Sequence, residues 1–111
     1  MKPTEISIAL STVANTEDGR KIARILVEEK LAACVSLLPG AESFYSWKAK
    51  LHQDTEMVLL IKFATTGLDA LQKRLLEIHP YDCPELIAWP IQAGHESYLQ
   101  WVMQSVDHTM K

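Results

Sequence analysis

Residues Glu56–Phe63 read as a strand with two apolar faces, and that constrains the fold more than any other feature. Met57, Leu59, Ile61 and Phe63 fall on one side, and Val58 and Leu60 on the other, with Lys62 the lone charge. Side chains alternate along a strand, so a run apolar on both faces is buried on both. The rest of the chain must therefore supply two covers for one sheet. Only a limited number of elements is available, because 111 residues amount to a single domain, 1–111, with no linker, internal repeat or low-complexity tract.

The flanking segments supply strands and helices in turn. Ile6, Ile8 and Leu10 alternate with Ser7, Ala9 and Ser11, which gives a first strand with one apolar and one small-residue face. Asn15, Thr16, Glu17 and Asp18 carry cap and first-turn chemistry for a helix whose stripe is Ile22, Ile25 and Leu26, extended by Val27 and Leu31. A second strand runs from about Ala33 to Leu38, is interrupted by Pro39-Gly40 and resumes over Ser43 to Trp47. Lys48 to Gln53 reads as a polar connection into the third strand, so strands two and three form a long hairpin. Thr65 and Thr66 cap a second helix with the face Leu68, Leu71, Leu75 and Ile78, which Pro80 and Pro84 end. Leu86 to Ile91 is a short fourth strand, and Glu96 to Val106 a last helix presenting Tyr98, Leu99, Val102, Met103 and Val106. The order is that of an α+β, ferredoxin-like βαββαβ sandwich with an extended hairpin and a C-terminal helix. Two helices cover one sheet face only. The doubly apolar third strand and the far-reaching aromatics Phe44, Tyr45 and Trp47 therefore predict an obligate oligomer.

Charge and composition narrow the function. Eleven basic against fourteen acidic residues give a net charge of −3, which provides no basic excess for phosphate backbones. RNA-recognition domains share this topology but stack bases on a glycine- and aromatic-rich third strand, whereas here that strand is aliphatic. A nucleic-acid partner is not expected. No apolar run approaches the roughly 20 residues of a membrane span, and no secretory h-region follows the N-terminus. Two cysteines, Cys34 and Cys83, make no secreted framework, so a reduced, cytoplasmic protein is expected. There is no nucleophile elbow, phosphate-cradling glycine loop or metalloprotease motif. A Cys/His pair can be drawn from any chain holding both residues, so no enzymatic activity is expected.

The densest chemistry lies in His79-Pro80-Tyr81-Asp82-Cys83-Pro84-Glu85, which joins an imidazole, a phenol, two carboxylates and a thiol. Imidazole with thiolate suits copper and zinc. The plainer reading is that the prolines stop the helix, His79 sits at the negative end of its dipole and Tyr81 packs. Cys34 is either a small buried hydrophobe or a thiolate ligand. Lys62 either snorkels to solvent or holds an anion, with Glu56 as one partner. His52, His95 and His108 read as surface histidines, and Trp47, Trp89 and Trp101 as core or interface anchors.

The segments Leu31-Ala32-Ala33-Cys34-Val35, Leu38-Pro39-Gly40, Ser43-Phe44-Tyr45-Ser46-Trp47-Lys48, Glu56, Ile61-Lys62, His79-Pro80-Tyr81, Pro84-Glu85 and Tyr98-Leu99-Gln100-Trp101 occur in that order. Together they resemble the CutA divalent-cation tolerance family. The resemblance implies stable homotrimers of ferredoxin-like subunits whose hairpins build intersubunit sheets, an assembly similar to that of the PII signalling proteins. It implies metal ions, copper foremost, as partners, with His79 and Cys34 as the positions to carry them and Cys83 as a compensating thiol. The alternative is a PII-like sensor in which Lys62, Trp47, Tyr81 and Glu85 line an intersubunit cleft for a small anion. The chain departs from the family pattern at Ser11-Thr12-Val13, where relatives often carry a cysteine, at Ile78-His79 in place of paired histidines, and at Lys62-Phe63 in place of Lys-Thr.

Overall fold

The computed structural model describes residues 4–106. It holds β1 (Ile6–Val13), α1 (Thr16–Glu28), β2 (Cys34–Trp47), β3 (Lys50–Ala64), a 3-10 turn (Thr65–Gly67), α2 (Leu68–Ile78), β4 (Ile87–Pro90) and α3 (Glu96–Ser105). The four strands form one antiparallel sheet in the order β2-β3-β1-β4. This is the expected ferredoxin-like arrangement. His108 lies outside the described residues.

The register sorts the side chains into two faces. Ala9 opposes Ile61, Ser11 opposes Leu59 and Val13 opposes Met57, and all of these are buried together with Phe63, Ile22, Leu26, Leu71 and Leu75. This is the core under α1 and α2, and each fully buried Leu, Ile or Phe in it contributes about 1.5–3 kcal/mol. The small-residue face of β1 is the one its own helices cover, while Ile8 and Leu10 turn to the opposite face and stay half-buried. α1 packs closely on this face at Gly19. A Cβ on Gly19 of α1 would stand 3.1 Å from the Met57 Cγ and 3.4 Å from the Val13 Cγ2.

Ser11 is a misfit in that core. Its side chain is fully buried and its hydroxyl has no hydrogen-bond partner. Stranding a buried hydroxyl costs on the order of 1–3 kcal/mol, so Ser11→Ala is expected to raise stability by about 1 kcal/mol in urea unfolding. A loss of stability would mean that the hydroxyl is satisfied in solution.

Several boundaries differ from expectation, each for a local reason. Lys48 to Gln53 is mostly strand. β2 and β3 continue to a two-residue turn at Lys48 and Ala49, both at positive φ (53° and 64°), with Trp47 paired to Lys50. The arm projects past the helices, so its strands lack the inward-outward alternation that would have marked them. Pro39-Gly40 bends β2 without ending it. Pairing shifts register between Leu38 and Ala41, with Gly40 at φ 80°, as a glycine bulge requires. Asn15 caps α1 as expected, its side chain accepting from the Asp18 N–H at 2.8 Å. Thr65 and Thr66 do not cap α2. Its N-cap is Gly67, and the Thr65 hydroxyl instead meets that of Ser7 at 2.7 Å. Val27 and Tyr98, read as part of buried stripes, are exposed.

α3 lies across one end of the second face. Val102 and Val106 bury Ile6, Ala33 and Ala64 there, while Leu99 and Met103 pack around them. The remainder of that face has no cover among the described residues.

Candidate functional site: the open sheet face and its rim

The uncovered face is built of cross-strand rows. Cys34, Lys62, Ile8 and Trp89 are successive partners across the sheet, Ser36, Leu60, Leu10 and Ile87 form the next row, and Leu38, Val58 and Thr12 the third. Ile87 and Trp89 are 53% and 42% exposed, and Leu38 is 44% exposed. The hairpin arm adds Phe44, Tyr45, Trp47 and Leu51, all exposed. Contiguous apolar surface of this extent marks an interface in a folded protein.

One charged side chain sits in these rows. Lys62 donates through Nζ to the Ser36 hydroxyl at 2.6 Å and stands 3.9 Å from the Cys34 sulfur. The ion pairs found among the described residues are both those of Arg74, with Glu29 and Glu77. The Tyr98 phenol, on α3, is held above its ordinary value first by burial and then by the neighbouring Cys34.

The second cluster forms where α2 ends. Pro80 excludes helical backbone at the residue before it, so α2 stops at Ile78 and His79 is extended (φ −78°, ψ 136°). The His79 ring is buried. Its Nδ1 accepts from the Tyr81 N–H at 3.1 Å, which leaves Nε2–H to donate to the Thr12 carbonyl at 2.8 Å. That carbonyl lies on the β4 edge of β1, the edge on which the Ile6 carbonyl accepts from the Ile91 N–H. β4 pairs only as far as Ile87 opposite Leu10, and the imidazole takes the place of the missing strand residue. Tyr81 tilts against the His79 ring, with centroids 4.8 Å apart, and its hydroxyl donates to Glu56 at 3.1 Å. Farther along the arm Tyr45 donates to Asp54 in a short hydrogen bond and stacks on His52.

Burial, and then the Glu56 carboxylate that accepts from it, pushes the Tyr81 phenol up to about 12. The fold thus favours the neutral phenol. Its contribution to stability is complete below the unfolded value of 10.0 and fades as pH rises towards 12. Stability is expected to fall across that alkaline window and the fall to flatten in Tyr81→Phe. An unchanged slope would assign it to Tyr45 or Tyr98, whose phenols are also raised.

The residues singled out in the sequence therefore separate. Cys34 and Lys62 come together, as do His79, Tyr81 and Glu56. The two groups are apart: Cys34 pairs with Lys62 and Thr12 with Val58, roughly 13 Å along β3, and Glu56 is about 20 Å from Lys62 along the same strand. Trp47 stands at the hairpin tip, and Cys83 and Glu85 are exposed in the loop before β4. Among the described residues no three His, Cys, Asp or Glu side chains converge as a metal site, and no helix is long and apolar enough to cross a membrane. Ser36 and Thr12, which the sequence reading did not place at a site, complete the two clusters. Ser36 carried a period-2 signal with Cys34, but nothing local marked the Thr12 carbonyl.

Comparison with known proteins agrees with this architecture. A family model described as CutA1 divalent ion tolerance protein matches residues 7–105. The divalent-cation tolerance protein CutA of Thermus thermophilus is 42% identical over 98 residues, which is 88% of this chain and 95% of that protein. The chloroplastic protein CutA of Arabidopsis thaliana is 46% identical over 94 residues, 85% of this chain but 52% of that protein, so the chain spans about half of that longer relative. The crystal structure of CutA1 from Oryza sativa superposes with a TM-score of 0.92 at 40% identity, covering 96% of this chain and 97% of that one. The chain belongs to the CutA1 divalent ion tolerance family.

Proposed function

We propose that the chain acts as one non-enzymatic domain, assembled as a cytoplasmic homotrimer with a PII-like architecture, in the tolerance of divalent cations. The observation that carries the assembly is the open sheet face. Its rows of Leu60, Leu10, Ile87 and Trp89 are turned away from α1 and α2, and among the described residues only α3 covers one end. Two unpaired cysteines suit a reducing compartment.

Copper is the ion proposed, and its donors are the thiols. His79, Cys34 and Cys83 do not fit one resident centre within a protomer, because both His79 ring nitrogens are engaged and the two cysteines lie in different regions. The thiols are free, and cysteine favours soft copper(I). Native mass spectrometry of the metal-free protein, titrated with copper and zinc, tests this reading. The expected result is a trimer whose copper uptake is lost on Cys34→Ser with Cys83→Ser and kept in His79→Gln. A monomer overturns the assembly, and uptake that follows His79 overturns the donor assignment.

A second reading has one observation in its favour: the Lys62 ammonium is held by Ser36 and Cys34 and by no carboxylate among the described residues. In it, a small anionic ligand occupies an intersubunit cleft on Lys62, with Trp47, Tyr81 and Glu85 reaching it from other copies. A metabolite that raises the melting temperature of the parent protein but not of Lys62→Ala supports it. No shift with any anion would sink it.

A further inference from the structure

Cys34 and Lys62 are directly opposed residues of β2 and β3, and both project from the sheet face that the helices leave open. Such partners hold their Cβ atoms about 5 Å apart, so the lysine stem folds back over the thiol. The Lys62 Nζ stands 3.9 Å from the Cys34 Sγ, and Ser36, two residues on along the same face, holds it there at 2.6 Å. In the protomer both residues are half-buried and confined by the backbone register.

We infer that Cys34 and Lys62 form a covalent bridge closed by a peroxide and opened by thiols. The Cys34 sulfur attacks one oxygen of hydrogen peroxide, giving a sulfenic acid and water. Lys62, having released one ammonium proton to solvent, attacks that sulfur through its Nζ lone pair. The S–O bond breaks, the departing hydroxide takes up an N–H proton, and an S–N bond remains. Thiol, amine and one peroxide thus become a sulfenamide and two waters, the Cys34 sulfur being oxidised by two electrons and the peroxide reduced. Two equivalents of an added thiol return Cys34 and Lys62 and leave as a disulfide.

The physical advantage is protection. A sulfenic acid with no nucleophile beside it proceeds to sulfinic acid, which thiols do not reverse. A neighbouring amine intercepts it at the reversible stage. The inference does not rest on copper, and in the proposed trimer it further requires that peroxide reach the pair between subunits, so those readings can fail without it.

The experiment uses the full-length, metal-free chain carrying Cys83→Ser, so that one thiol remains, treated with about three equivalents of hydrogen peroxide, enough to carry an unprotected thiol to sulfinic acid. After proteolysis, mass spectrometry is expected to find the Cys34 and Lys62 peptides joined, short of their summed mass by two hydrogens and released by dithiothreitol. In Lys62→Arg the joined species is expected to be lost and Cys34 to accumulate as sulfinic acid. The joined peptide is read in protein with Lys62 intact, so it decides the matter even if the variant folds poorly. Cys34 that stays a thiol, or that reaches sulfinic acid equally fast with and without Lys62, overturns the inference.

Discussion

Leu60→Glu is expected to leave a folded protomer that no longer assembles. Leu60 lies in the second row of the open face, flanked by Ser36 on β2 and Leu10 on β1, and is half-buried in the isolated protomer. A carboxylate there can turn to water in the protomer, so the helical core beneath, built on Leu59, Ile61 and Phe63, is retained. In an assembly that covers this face the same carboxylate is desolvated without a partner, at a cost of several kcal/mol. About 4 kcal/mol weakens association roughly a thousandfold. Sedimentation is expected to give three times the protomer mass for the parent protein and for Arg24→Glu, on the exposed side of α1, and the protomer mass for Leu60→Glu. A Leu60→Glu protein that sediments with the parent would exclude this face as the interface.

The same face shows how far the sequence could be read. The period-2 pattern of β3 separated Met57, Leu59, Ile61 and Phe63 from Val58, Leu60 and Lys62, and the structure buries the first set and half-buries the second. β1 was less legible. Its apolar residues Ile8 and Leu10 would be expected to meet the protomer's own helices, but the helices take Ala9, Ser11 and Val13. The reason lies elsewhere in the chain. Gly19 lets α1 pack closely on Met57 and Val13, so the helix docks on this face of the sheet, and no window on β1 alone reports that. The hairpin arm was missed over Lys48 to Gln53 because neither face of it packs on the protomer's core, so no burial pattern was written into it.

The site was legible in its residue types and illegible in its distances. His79, Cys34 and Cys83 are the chain's natural soft donors, but which of them meet depends on register. Cys34 is tied to Lys62, and His79 to Thr12 and Tyr81. The Cys34–Lys62 pairing follows from a hairpin whose bulge at Pro39-Gly40 shifts the alignment, and a bulge moves every later pair by an amount the sequence does not state. The Thr12 carbonyl is a backbone atom at the point where β4 ends, so side-chain chemistry carried no sign of it.

His79→Ala is expected to cost about 2–4 kcal/mol of stability. Three losses combine. The Thr12 carbonyl on the edge of β1 is stranded, the Tyr81 N–H loses its acceptor, and the buried ring leaves a void beside Tyr81. A buried polar group left unpaired costs about 1–3 kcal/mol, and the void adds to that. His79→Gln offers an amide N–H to Thr12 and is expected to recover part of the loss. Urea unfolding at one fixed protomer concentration gives the comparison, because assembly makes stability concentration-dependent. The pair of variants also separates two roles for this imidazole. A ring that splints the end of the sheet predicts lower stability with unchanged copper uptake in the folded Gln variant. A ring that ligates metal predicts the opposite, and the two nitrogens already engaged by Thr12 and Tyr81 favour the splint.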